Sequence, residues 1–260
     1  MIPFGSRAFA PILLLAGSLF FMLLIQSAQA QNQVRPDPYG QWLMYFGDNK
    51  LSDKIGLHTE LQLRNYLLRE TVEQSLARVG LNVYLNPSTM ATAGYAFIYT
   101  TPSRENVEGF TVREHRSWQQ LIMRQRSRNL FLEHRYRLEQ RFIDNLDTRN
   151  SKFENRVRYR LQAIVPFYTI SPYLRHFFFA SYNELFVNFG KQVAGEVFDR
   201  NRFYLAFGYQ FSPKFNFQVG YLHQYISIPG ATSGNINHNL QVGISYNMDD
   251  LMPTMFRRSE

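Results

Sequence analysis

The chain has 260 residues, no cysteine, and 28 Lys and Arg against 20 Asp and Glu, a formal charge of +8. Without cysteine there is no disulfide framework, no thiol chemistry and no lipid-modified cysteine anchor. Lysine stands only at positions 50, 54, 152, 191 and 214, so arginine carries almost all of the basic charge.

The N-terminus comes first. Arg7 supplies a short positive region, an apolar run follows from Ile12 to Ile25, and Ala28-Gln29-Ala30 gives a small-x-small cleavage pattern. These features predict a signal peptide over 1–30, with Gln31 the first mature residue. The run is shorter than the roughly 20 residues of a spanning helix. A basic chain is compatible with nucleic-acid binding, but export argues against a nucleic-acid partner. Residues 31–40, with Pro36 and Pro38, read as an N-terminal extension.

From there the pattern is alternation with period two. Ile55, Leu57, Thr59, Leu61 and Leu63 fall on one face of a strand, and His58, Glu60, Gln62 and Arg64 on the other. A helix, with period 3.6, cannot sort residues this way. Ala77, Val79, Leu81 and Val83 repeat the pattern before an Asn86-Pro87-Ser88 turn. Folding about Pro87 sets Leu85 opposite Thr89, Val83 opposite Ala91 and Val79 opposite Tyr95. The hairpin about Pro213 pairs Phe211 with Phe215, Tyr209 with Phe217, Phe207 with Val219 and Leu205 with Tyr221.

The predicted strands are 41–47, 54–64, 73–85, 89–99, 111–124, 129–142, 152–166, 172–187, 200–211, 214–226 and 236–248. Short turns (48–53, 86–88, 125–128, 167–171, 212–214) alternate with longer loops (65–72, 100–110, 143–151, 188–199, 227–235). This asymmetry, with aromatic residues crowded on the apolar face, predicts an all-β transmembrane up-and-down barrel of ten to twelve antiparallel strands over 41–248 in the cell outer membrane. A tail, 249–260, follows. Eleven strands is an odd count, and the loop pattern makes the first strand run toward the short-turn side. The expected partners are outer-membrane lipid, lipopolysaccharide and the barrel assembly machinery.

Several stretches carry a family resemblance. They are Lys50-Leu51-Ser52-Asp53-Lys54, Glu60-Leu61-Gln62-Leu63-Arg64, Ala93 to Ile98, Glu114-His115-Arg116 with Trp118-Gln119-Gln120, and Arg137-Leu138-Glu139-Gln140-Arg141-Phe142. Asn201-Arg202, Gly208-Tyr209, Gly220-Tyr221 and Asn237-His238-Asn239-Leu240 extend them. Together they resemble domain-of-unknown-function family 2490 across about 40–248. The resemblance implies a bacterial outer-membrane barrel and no particular activity. Such barrels commonly end on an aromatic residue; here the last strand offers Tyr246, with Asp249 to Glu260 beyond it.

The richest polar face belongs to the hairpin around 143–151. One strand carries Glu133, Arg135, Arg137, Glu139 and Arg141, and the other Glu154, Arg156, Arg158, Arg160 and Gln162. Pairing Phe142 with Phe153, Leu138 with Val157 and Tyr136 with Tyr159 on the apolar face sets Arg141 opposite Glu154 and Glu139 opposite Arg156. The same register places Arg137 against Arg158 and Arg135 against Arg160, like charges that destabilise unless compensated. His58, Glu60 and Arg64 are expected to join this ladder, with Glu114 and Glu184 as further bridging carboxylates. Two outcomes stay open: a lumen plugged by Arg–carboxylate bridges, or an Arg-lined interior that binds or passes small anionic solutes.

The rival reading is a membrane-embedded lipid hydrolase. His115 and Ser117 share a strand face and are similar to the His-x-Ser placement of barrel lipid A deacylases, but an orienting acid is lacking if both face lipid. His58, His115, His134, His176, His223 and His238 lack metal-ligand spacing, although His223 is expected to face His238. No cofactor motif occurs. Gly94, Gly208, Gly220 and Gly243 fall inside strands, where glycine relieves curvature.

Overall fold

A computed structural model describes residues 39–66, 72–102, 109–127, 130–169, 171–190, 193, 197–228, 230 and 234–248. The predicted signal peptide, most of the 31–40 extension and the 249–260 tail lie outside the described residues. Eleven strands form a single closed barrel: β1 (Tyr39–Lys50), β2 (Ile55–Tyr66), β3 (Val72–Asn86), β4 (Thr89–Thr100), β5 (Val112–Ser127), β6 (Leu130–Asn145), β7 (Ser151–Pro166), β8 (Phe177–Phe189), β9 (Phe198–Ser212), β10 (Phe215–Ile226) and β11 (Asn235–Tyr246).

Each strand pairs with its sequence neighbours in antiparallel fashion, and β1 closes the barrel against β11 in parallel, Tyr39 opposite His238 through Phe46 opposite Ser245. The odd count dictates this. If successive strands reverse direction, the first and the eleventh run the same way. The all-antiparallel wall expected from the sequence is therefore correct at every pair but the closing one.

The registers follow the alternation. Val83 meets Ala91 and Val79 meets Tyr95, with an irregularity at the turn that puts Asn86, rather than Leu85, opposite Thr89. Tyr209 meets Phe217 and Leu205 meets Tyr221, while a second irregularity sets Phe215 against Ser212 rather than Phe211. A bulge at each turn absorbs one residue, so register slips by one there and recovers inside the strands. The eighth strand begins at Phe177, five residues later than the predicted start at 172. Ser171 and Pro172 explain the delay. Pro172 opens a 3-10 turn over Pro172–Leu174, and the Ser171 side chain accepts from Tyr173 N–H.

The two faces of the wall are opposite in character. Outward lie Leu61, Leu81, Phe207 and Phe211, each more than half exposed. Inward lie buried Glu60, Arg78, Arg137, Glu139, Arg158 and Glu184 beside Trp42, Trp118, Phe178 and Tyr204. Interior glycines seat the large rings. Gly80 faces Gly94 across β3 and β4, and a Cβ on either would come within 3.0 Å of the Trp118 ring. A Cβ at Gly208 would lie 2.0 Å from Phe178 Cζ. Their role is thus to admit aromatic plugs, which goes beyond the curvature relief expected from sequence.

Candidate functional site

Inward-facing positions of β2, β6 and β7 carry the charge ladder predicted from sequence. All eleven residues, Glu60, Arg64, Glu133, Arg135, Arg137, Glu139, Arg141, Glu154, Arg156, Arg158 and Arg160, lie on the inner face. The β6–β7 register sets Arg141 opposite Glu154, Glu139 opposite Arg156, Arg137 opposite Arg158 and Arg135 opposite Arg160. On the outer side the Phe142–Phe153 and Tyr136–Tyr159 ring centroids stand 4.8 and 5.0 Å apart.

In the like-charged pairs each arginine turns to an acceptor outside the pair, Arg135, Arg158 and Arg160 to carboxylates and Arg137 to an amide. Arg158 turns toward β8, where Glu184 Oε1 accepts from its Nε at 3.0 Å and its Nη2 at 2.8 Å, and its Nη1 reaches Glu139 Oε1 at 2.8 Å. Arg135 Nη2 donates to the same Glu184 oxygen at 2.6 Å. Arg160 turns away to Glu133 Oε1, also at 2.6 Å. Arg137 points to the opposite flank: its Nε and Nη2 share Gln120 Oε1 on β5, and the guanidinium lies 4.9 Å from the Trp118 ring centroid.

Glu139 is the hub. Arg156 donates to its Oε2 through Nε at 2.9 Å and Nη2 at 2.7 Å. Arg158 and Arg116 reach its Oε1 at 2.8 and 3.2 Å. Arg78, bonded to Glu60, extends a second guanidinium nitrogen to within 3.7 Å of Glu139. Glu114 holds Arg116 and Arg141, and Arg141 also reaches Glu154 at 2.9 Å. Such charge-assisted, often bidentate bonds fill the middle of the bore. Arginine is suited to this, since its planar fork keeps several acceptors at once and stacks on rings. Arg64 and Arg202 lie 3.9 and 4.8 Å from the Trp42 ring, and Arg158 lies 4.3 Å from Phe186.

Toward the long-loop end the bore widens into a vestibule of about 450 Å³. Its wall presents Arg64, Arg78, Arg116, Arg141, Lys152, Arg156, Arg158, Arg200 and Arg202, nine cations, against three carboxylates, Glu114, Glu154 and Asp199. Arg78, Arg116, Arg200, Arg202 and Asp199 were not assigned to the ladder from the sequence, although Arg116 and Arg202 stand in stretches that carry the family resemblance. They come from β3, β5 and β9, and only closure of the wall brings them beside β6 and β7. The available signal was position for Arg78, Arg116, Arg200 and Arg202, which lie on the polar face of their strands; Asp199 reaches the bore through the irregularity that leaves it unpaired between Phe198 and Arg200.

His115 and Ser117 face outward. Ser117 Oγ bonds Gln140 Oε1 at 2.9 Å, and His115 Nδ1 meets the Tyr95 hydroxyl at 2.5 Å. Their cross-strand neighbours are Phe97, Phe142, Tyr95 and Gln140, none of them an acid. Asp144, at the outer rim, is held by Arg113 and Ser151 at 3.1 and 2.7 Å. The structure does not bring a nucleophile, base and acid together here. Ser117→Ala is expected to leave the rate of ester hydrolysis by the purified protein unchanged. A loss of rate in the variant would restore the hydrolase reading. His223 faces His238 with ring centroids 5.7 Å apart, and His238 Nδ1 meets the Tyr221 hydroxyl at 2.5 Å. Among the described residues, no group of three or more His, Asp or Glu is placed to hold a metal.

No curated protein matches this chain. Among solved structures it is similar to one titled "NanC porin structure in rhombohedral crystal form", with a TM-score of 0.47 and 14% identity over 80% of this chain and 96% of that one. A family model described as "Protein of unknown function (DUF2490)" matches residues 39–235, and the chain therefore belongs to that family.

Proposed function

We propose that the protein is an outer-membrane β-barrel whose loop-side vestibule collects small anionic solutes above an ion-paired constriction. The observation that carries the anion reading is the vestibule wall, nine cationic side chains against three carboxylates, an excess that persists when Glu60, Glu139 and Glu184, which bond Arg78, Arg116, Arg156 and Arg158 from behind the wall, are counted with them. In a narrow space walled by protein, an excess of one sign focuses potential and concentrates counter-ions. The membrane reading is supported by the inversion of the wall, apolar outside and charged inside. Exposed Leu61, Leu81, Phe207 and Phe211 would meet lipid and lipopolysaccharide, and the ion pairs would be shielded from it. Export through the 1–30 signal and insertion by the assembly machinery belong to the same reading.

The constriction argues against passage of large solutes. Glu139, Glu60 and Glu184 are almost fully buried, each held by at least one arginine. Planar-bilayer recording under a potassium chloride gradient tests the proposal. Small currents selective for chloride are expected, with selectivity reduced or reversed by Lys152→Glu with Arg200→Glu, two substitutions at the vestibule wall. Cation selectivity, or selectivity indifferent to those substitutions, would refute it.

A further inference from the structure

A second cavity of about 60 Å³ lies deeper in the bore, with Arg158, Arg202 and Gln62 lining both it and the vestibule. A space of this size admits a few water-sized particles or a small inorganic anion. Five guanidinium groups line it, on Arg135, Arg137, Arg158, Arg160 and Arg202, against two carboxylates, Glu60 and Glu184. Both carboxylates are engaged: Glu60 by Arg78 and Gln62, and Glu184 by Arg135 and Arg158.

Arg137 differs from the other arginines on the inner face of β6 and β7. It is 3% exposed, and no carboxylate lies within ion-pair distance of it among the described residues. Its Nε and Nη2 both lean on a single neutral oxygen, Gln120 Oε1, at 3.1 and 2.7 Å, and its Nη1 takes part in neither bond. A buried charge with no counter-charge is a large cost. What the site lacks is an acceptor for Arg137 Nη1, and a negative one would also supply the missing counter-charge.

We infer that this cavity binds one small inorganic anion of halide size, with the Arg137 guanidinium as its principal counter-charge. The site is distinct from the vestibule and does not depend on what the vestibule collects. Two effects follow. The anion neutralises Arg137 and supplies an acceptor to its Nη1, so occupancy stabilises the folded barrel. It also makes Gln120 a positioning residue, since its amide oxygen orients Arg137 while leaving Nη1 available.

Crystals of the intact protein grown in sodium bromide give the first reading. One anomalous peak per barrel is expected within hydrogen-bonding distance of Arg137, absent in Arg137→Gln. In detergent at constant ionic strength, replacing gluconate by bromide at ten times its dissociation constant is expected to raise the melting temperature by about 4 °C. Arg137→Gln tests the site by loss and carries a risk of misfolding. Gln120→Glu is the safer counterpart, because it offers Arg137 a tethered carboxylate in place of the free anion. That variant is expected to fold with a melting temperature that no longer responds to bromide. No bromide peak, a peak that survives both substitutions, or the same melting temperature in gluconate and bromide would overturn the inference and assign the cavity to water. None of these readings involves a membrane or a current, so failure here leaves the vestibule proposal standing, and the reverse also holds.

Discussion

Glu139→Gln is expected to destabilise the barrel by about 3–5 kcal/mol. The carboxylate is fully buried and serves Arg116, Arg156 and Arg158 at 2.7 to 3.2 Å. Glutamine keeps the shape and one acceptor oxygen but removes the charge, leaving three guanidinium groups with a deficit that water cannot reach. Glu114 and Asp199 offset part of it, since they already bond Arg116 and Arg156. Arg158 retains Glu184. The cost therefore falls on the shared centre and not on any single pair. Glu154→Gln is the comparison. Glu154 sits at the vestibule wall, partly exposed, with Arg141 and half-exposed Lys152 as partners. Its loss is expected to cost about 1 kcal/mol or less. Urea titration of the folded protein, followed by tryptophan fluorescence, separates the two, because Trp118 and Trp42 stack on arginines of the same network. Equal midpoints for the two variants would mean that the hub does not exist as a unit.

Gly94→Ala is expected to cost about 3 kcal/mol, a large effect for one methyl group. The new Cβ would lie 2.1 Å from the Val79 carbonyl oxygen and 2.6 Å from Gly80 Cα, both backbone atoms of β3. A side chain can swing away from such a contact, but a paired strand can only part. The same change at Gly243 meets Gln218 Cγ at 3.1 Å, a flexible neighbour, and is expected to cost under about 1 kcal/mol. Urea midpoints measured side by side decide the matter. A Gly94→Ala protein as stable as Gly243→Ala would show that the β3–β4 approach relaxes easily.

Much of the wall was legible because a period of two is hard to counterfeit. The match of Tyr209 to Phe217, and of Arg137 to Arg158, needed only alternation and a turn. Alternation tells which side a residue faces and says nothing of the distance across the bore. For this reason the like-charged arginines were visible and Glu184 was expected as a bridging carboxylate, but which arginines it would reach was not legible. It relieves Arg158 from the adjacent strand and Arg135 from two strands away, and Arg78 approaches Glu139 from three strands away. The longer reaches depend on curvature, which no local pattern encodes. Arg137 resting on Trp118 was hidden in the same way. The late start of β8 had a visible cause in Pro172, which a hydrophobic run of Phe and Tyr masked. The parallel closing pair was implicit in an odd strand count, yet sequence reading alone could not separate eleven strands from ten or twelve.

The joining of β1 to β11 has a consequence for how the molecule forms. Every other pair is a hairpin or a neighbour connection and can zip locally, whereas Asp48 N–H finds Asn247 Oδ1 across 199 positions of chain. Contacts of such high order are reached only after intervening loops have closed, and they set the pace of folding. Until then β1 and β11 each present an unpaired edge, the feature that invites pairing with other chains. The growing sheet would therefore carry two sticky borders for most of its assembly, and the chain closes correctly only if they meet each other before either meets another sheet.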